Sequence, residues 1–161
     1  GTMALVLQAL ARTKQRGVLL AQSSELDWVD LPDTVFVTES VPFDWLFPRV
    51  SAVIHHGGAG TTAAGLLAGV PTIIVPSFMD QPFWGQRVAD MGLGPPPIPL
   101  KQLSASALEE MINTVLQDKG MQDRAAEIGT QIQREEGVAS AIAVIDRHLH
   151  PCLQQSHSTE I

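Results

Sequence analysis

The stretch Ala52-Val53-Ile54-His55-His56-Gly57-Gly58-Ala59-Gly60-Thr61-Thr62-Ala63-Ala64 decides how the chain must be read. Ala52 to His55 is a short apolar run of strand length, and it breaks into glycines. Thr61 to Ala68 follows as a helix of small residues, stopped by Gly69 and Pro71. A strand, a glycine turn and a helix in that order form half of a strand-helix-strand unit. In folds built from such units, ligands bind beyond the carboxyl ends of the strands, beside the helix starts. Glycines let backbone N–H groups approach an anion closely, and the helix start adds roughly half a positive charge. His55, Gly57, Gly58, Ala59, Gly60, Thr61 and Thr62 are therefore candidates for binding a diphosphate, His55 through a ring nitrogen and the threonines through hydroxyls. Taken alone, a three-glycine turn fits equally well a helix merely packed on a strand. A metal site is not expected here: adjacent strand residues such as His55 and His56 point to opposite faces, and no cysteine stands nearby.

Working outward, the same alternation recurs. Met3 to Lys14 reads as a helix, Gly17 to Ala21 as a strand, Asp27 to Asp33 as a loop and Val35 to Thr38 as a strand. Asp44 to Pro48 reads as one helical turn capped by Asp44. Beyond the glycine turn, Thr72 to Val75 is a strand and Pro82 to Met91 a helix closed by Gly92. Pro95-Pro96-Pro97 leaves Ile98 and Leu100 an edge segment at most. Ser106 with Glu109 is a capping-box pattern opening a helix to about Leu116, followed by helices from Met121 to Glu135 and Val138 to His148. The expected fold class is α/β, a Rossmann-like doubly wound parallel sheet occupying residues 1–150, with a disordered tail over residues 151–161. Trp45, Phe47 and Phe83 are expected in the core.

Composition narrows the function. Hydrophobic residues make up 45% of the 161, enough for one well-buried core, and the scarcity of aromatics (5%) suits strands covered by helices on both faces. A net charge of −7 argues against a nucleic-acid surface but not against a small anion held by local donors. Cys152 is the single cysteine, so no intrachain disulfide can form and a reducing compartment is expected. No apolar run reaches membrane-spanning length. The reading is a soluble, cytoplasmic chain.

With these residues in view, a resemblance emerges. Val41-Pro42-Phe43-Asp44-Trp45-Leu46-Phe47-Pro48, the glycine stretch itself, Ala68-Gly69-Val70-Pro71 and Met79-Asp80-Gln81-Pro82-Phe83-Trp84-Gly85 resemble the donor site of sterol 3-beta-glucosyltransferases, which use UDP-sugars. Glycopeptide glycosyltransferases are similar over less of it. The resemblance covers residues 4 to 148, and it implies the C-terminal half of the two-domain GT-B fold. It implies that His55 and the turn from Gly58 to Thr61 contact the donor diphosphate, and that Asp80 and Gln81 hydrogen-bond the donor sugar. It also implies that Ser40 and Val41 meet the base through backbone groups. The sequence departs from relatives in Phe43, where a histidine is expected, and in Ala63, where plant relatives place a glutamate. Plant relatives also stack the base on a tryptophan that this chain lacks.

The resemblance further implies what is missing. The general base of an inverting transferase and the acceptor pocket belong to an N-terminal acceptor domain, so no catalytic residue is expected in this chain. His148, His150 and His157 read as solvated, and the isolated chain should be inactive. The implied partners are a UDP-sugar, as co-substrate rather than cofactor, and that acceptor domain; the full enzyme is expected in the cytoplasm, peripheral to a membrane. Two other readings share the architecture: a non-catalytic nucleotide-sugar-binding module and a UDP-sugar 2-epimerase. Relatives also begin this domain with a strand that is missing here. Its loss is expected to make the strands near Val18 and Val53 pair directly in a rearranged sheet, or to bring in a second copy as an intertwined homodimer.

Overall fold

The computed structural model describes residues 1–22 and 31–155, with side chains through residue 149; part of the loop expected at Asp27–Asp33 lies outside the described residues, as do residues 156–161. The chain runs α1 (Thr2–Thr13), β1 (Gly17–Leu20), β2 (Val35–Thr38), α2 (Phe43–Leu46), β3 (Val53–His55), α3 (Ala59–Leu67), β4 (Thr72–Ile74), α4 (Gln81–Asp90), α5 (Ala105–Gln117), α6 (Lys119–Gln133) and α7 (Gly137–Gln155). Single 3-10 turns follow α2 and precede α5. The expected α/β alternation is present, and every strand pair is parallel.

The strands form two separate two-stranded sheets, β1 with β2 and β3 with β4. Direct pairing of β1 with β3, one of the two arrangements expected from the sequence, does not form. The amides of Gly17 and Ala21 reach Thr34 and Thr38, so alternation turns the backbone groups of Val18 and Leu20 to the open edge. Val53 likewise bonds Pro71 while the His55 carbonyl accepts from Val75, which turns Ile54 outward on β3. Val18, Leu20 and Ile54 are 40%, 45% and 39% exposed, so water reaches these edges. Without burial of the unpaired groups, nothing forces the two pairs together.

Apolar packing joins the pairs instead. Ile73 and Val75 share a core with Val35 of β2, Ala9 and Leu10 of α1, and Leu108, Met111, Ile112 and Val115 of α5. Ile74, one residue from Ile73, packs with Val88 of α4, Leu93 and Ala125 of α6. Because successive strand residues face opposite sides, β4 is covered on both faces, and all three of its residues are buried. A third cluster gathers Leu46, Phe47, Val53 and Val70 beneath α2. At Gly94 a β-carbon would stand 1.9 Å from the Thr72 carbonyl oxygen, so only glycine lets that loop lie against β4.

Several sequence expectations shift. The cap of α5 is Ser104, whose hydroxyl accepts from the Ala107 amide; Ser106 lies inside the helix and only meets the Ser104 hydroxyl. Asp118 opens α6 in the same way through Met121. Asp44 does not cap α2: Pro42 holds that position, and the Asp44 carboxylate accepts from the adjacent Trp45 amide. Phe47 is buried, but Trp45 and Phe83 are 55% and 63% exposed. Trp45 instead lies under the Arg49 guanidinium, 4.8 Å from its ring centre. The last helix continues past Pro151 to Gln155, into the expected tail. Among the described residues no helix is long and apolar enough to cross a membrane.

Candidate functional site

The corner between β3 and α3 is built from backbone. Gly57 has φ +93, a conformation in which L side chains are strained, and a β-carbon there would lie 2.7 Å from Ile74 Cγ2 and 3.0 Å from the Gln81 carbonyl oxygen. The bare α-carbon therefore lets this turn rest directly on the β4–α4 corner. α3 starts at Ala59 with Gly58 at its N-cap, two residues before its expected start, so Ala59 and Gly60 belong to its first turn. The amides of Ala59, Gly60 and Thr61 have no acceptor among the described residues. They are the open end of a helix dipole.

His55 stands at the carboxyl end of β3. Its Nδ1 accepts from the Gly57 amide at 2.9 Å, which leaves the proton of the neutral ring on Nε2. Among the described residues, His55 Nε2 is the one buried side-chain nitrogen or oxygen without a partner. Burial, and secondarily the neighbouring His56, pushes the His55 pKa down to about 4, so the ring is neutral at pH 7. A neutral ring with a fixed tautomer and a buried, unused N–H needs an acceptor.

Two residues expected at the diphosphate take other roles. Thr62 is buried and its hydroxyl donates to the Gly58 carbonyl at 2.9 Å, because the early helix start turns it inward. The Gly57 N–H is already held by His55, so Gly57 shapes the turn rather than donating. Thr61 is half-buried, and its hydroxyl has no partner among the described residues.

The corner between β4 and α4 is built from side chains. Gln81 is 6% exposed, and its amide oxygen accepts from the Ser77 and Phe78 amides at 2.8 and 3.2 Å. Its oxygen thus folds the loop, leaving the amide nitrogen for anything outside. Asp80 is exposed and sits at the N-cap of α4 without capping it; its Oδ2 accepts from Trp84 Nε1 at 2.8 Å. Met79 just before it has φ 57, uncommon for a non-glycine residue, and is 82% exposed. Composition and motif reading missed both the strained Met79 and the Asp80–Trp84 bond. The four-residue spacing of Asp80 and Trp84 was the available signal for the latter.

The remaining expected positions lie just after β2. The Ser40 carbonyl accepts from the Thr38 hydroxyl at 3.0 Å, and Val41 packs on the cluster beneath α2. Phe43 stacks on Phe47 with ring centres 4.5 Å apart, a packing role in place of a polar one. His148 directs Nδ1 to the Val144 carbonyl of its own helix at 2.8 Å.

The family description "Erythromycin biosynthesis protein CIII-like, C-terminal domain" matches residues 4–140. The chain belongs to that family. It is 48% identical over 158 residues to Sterol 3-beta-glucosyltransferase UGT80A2 of Arabidopsis thaliana, covering 98% of this chain and 24% of the relative. The chain thus spans about a quarter of that relative's length. Among solved structures it superposes on Spinosyn Forosaminyltransferase SpnP with a TM-score of 0.82 at 23% identity, over 93% of this chain and 38% of that one. The glycosyltransferase VinC in complex with DTDP gives 0.77 at 24% identity, over 91% and 38%. At such identities the likeness shows the fold alone, that of the C-terminal half of the GT-B architecture.

Proposed function

We propose that the chain binds a UDP-glucose-type donor for an inverting glycosyltransferase acting on a sterol or similar lipophilic hydroxyl. The observation that carries this reading is the buried, unpartnered His55 Nε2 beside the free amides of Ala59, Gly60 and Thr61. A diphosphate oxygen satisfies the imidazole N–H and the helix start together. As the glycosidic bond to the donor breaks, negative charge grows on the departing diphosphate. Donors fixed in advance stabilise that charge without reorganising. In this reading Asp80, next to the Gln81 that lies against the Gly57 turn, accepts from sugar hydroxyls. Thr62 and the Gly57 amide take no part in the contact. The glucose and sterol assignments lean on the likeness to the Arabidopsis sterol 3-beta-glucosyltransferase, and the uridine assignment on the motif resemblance. The base that deprotonates the acceptor, and the acceptor pocket, belong to an N-terminal domain in this reading, and the complete protein works in the cytoplasm at a membrane surface.

Calorimetric titration of the chain with uridine, UDP, UDP-glucose, TDP-glucose and ADP-glucose tests the reading. UDP should bind, uridine should bind far more weakly, and UDP-glucose should exceed the two other sugar nucleotides. Equal binding of uridine and UDP would remove the diphosphate role from the β3–α3 corner.

A further inference from the structure

We propose that Trp84 is a positioning residue that orients the Asp80 carboxylate for the donor sugar, an inference that rests on the sugar-contacting role assigned above to Asp80. An aspartate at a helix N-cap ordinarily folds its carboxylate back onto the second or third amide of the helix. Asp80 cannot do so in the usual way. The second helical residue is Pro82, which has no N–H, and Asp80 itself has φ −82 and ψ −6 rather than the extended backbone of a capping residue. An exposed carboxylate without its cap bond would swing among rotamers.

Trp84, one turn along α4, removes that freedom. Its Nε1–H donates to Asp80 Oδ2 at 2.8 Å, a hydrogen bond to a charged acceptor. The indole is itself braced edge-to-face on Phe83, ring centres 5.2 Å apart. From the other side Gln81 ties the loop through the Ser77 and Phe78 amides, so the backbone beneath Asp80 is held as well. The consequence is chemical. Indole nitrogen is donor-only, and it occupies one oxygen of the carboxylate. Oδ1 has no partner among the described residues, and it is presented in one direction to groups that donate, as sugar hydroxyls do. Trp84 does not touch the sugar; it lowers the cost of ordering the group that does.

The test is a double-mutant cycle of Trp84→Phe and Asp80→Ala in the chain, titrated with UDP and UDP-glucose, with thermal unfolding as a check on folding. Phenylalanine keeps the ring packing and deletes only the N–H. Trp84→Phe should lower UDP-glucose affinity about three- to tenfold and leave UDP unchanged, and it should add nothing in the Asp80→Ala background. A purely structural role would instead lower both ligands together, and that result overturns the proposal, as does an additive cycle. If Asp80→Ala does not weaken UDP-glucose relative to UDP, the sugar-contacting reading fails and takes the inference with it. A ligand-free measurement separates the two. The indole N–H resonance that disappears in Trp84→Phe should shift upfield in Asp80→Ala; if it stays in place, the bond is absent and Trp84 positions nothing, whatever Asp80 does.

Discussion

The two corners of the site solve the same problem with different materials. At β3–α3 the groups left without a partner among the described residues are backbone amides and one imidazole nitrogen, beside a glycine whose conformation and contacts admit no side chain. At β4–α4 they are side chains, and each is steadied by a neighbour in sequence: Gln81 by Ser77 and Phe78, Asp80 by Trp84. A diphosphate is anionic and common to many donors, so fixed backbone dipoles suit it. A sugar is neutral and differs between donors by the direction of single hydroxyls. Recognising those needs side chains whose identity and angle can vary.

This difference can be broken most severely at Gly57. Gly57→Ala should destabilise the chain by roughly 1–3 kcal/mol from the left-handed backbone alone, with the overlap on Ile74 and Gln81 adding to it. Urea unfolding measures the loss, and UDP and UDP-glucose binding should fall together because both corners move. A change confined to UDP-glucose would show that the glycine supports the β4–α4 corner only.

A finer cut is His55→Asn, whose side-chain oxygen can still accept from the Gly57 amide while Nε2 is lost. UDP and UDP-glucose should weaken by the same factor, roughly ten- to a hundredfold for one hydrogen bond to a charged group. Loss of UDP-glucose binding alone would reassign His55 to the sugar.

A separate expected effect is on pH. The folded His55 pKa of about 4 lies below its ordinary value of 6.5. Between those values the unfolded chain takes up a proton that the folded chain refuses, so this group's contribution is complete above pH 6.5 and is lost as pH falls toward 4. The urea midpoint should drop across that window in the wild type and drop less in His55→Asn. Identical profiles would mean that the ring is solvated in the folded chain.

Much of this was legible in the order of residues. Apolar runs broken by glycine and proline located α1, the strands, α3 and α4 to within a few positions, because periodicity and backbone restriction are local properties. The quoted motifs pointed to the family, and the family match bears that out. What was misread depended on distances that sequence does not contain. Ser104 and Ser106 both suit a cap, and only the backbone angles chose Ser104. Trp45 and Phe83 are as apolar as Phe47, yet only Phe47 met a core. A helix start two residues early sufficed to turn the Thr62 hydroxyl inward while leaving that of Thr61 without a partner.

The sequence alone determined the class of fold and the placing of a glycine turn between a strand and a helix, since both follow from short-range sterics and from which residues can be buried. Tertiary structure decided how the strands group and which polar atoms remain unsatisfied. The two strand pairs stay separate because their open edges are exposed and α1 and α5 bury residues from both. His55 Nε2 is buried and finds no acceptor among the described residues, a balance of desolvation and hydrogen bonding that exists only once the chain is packed.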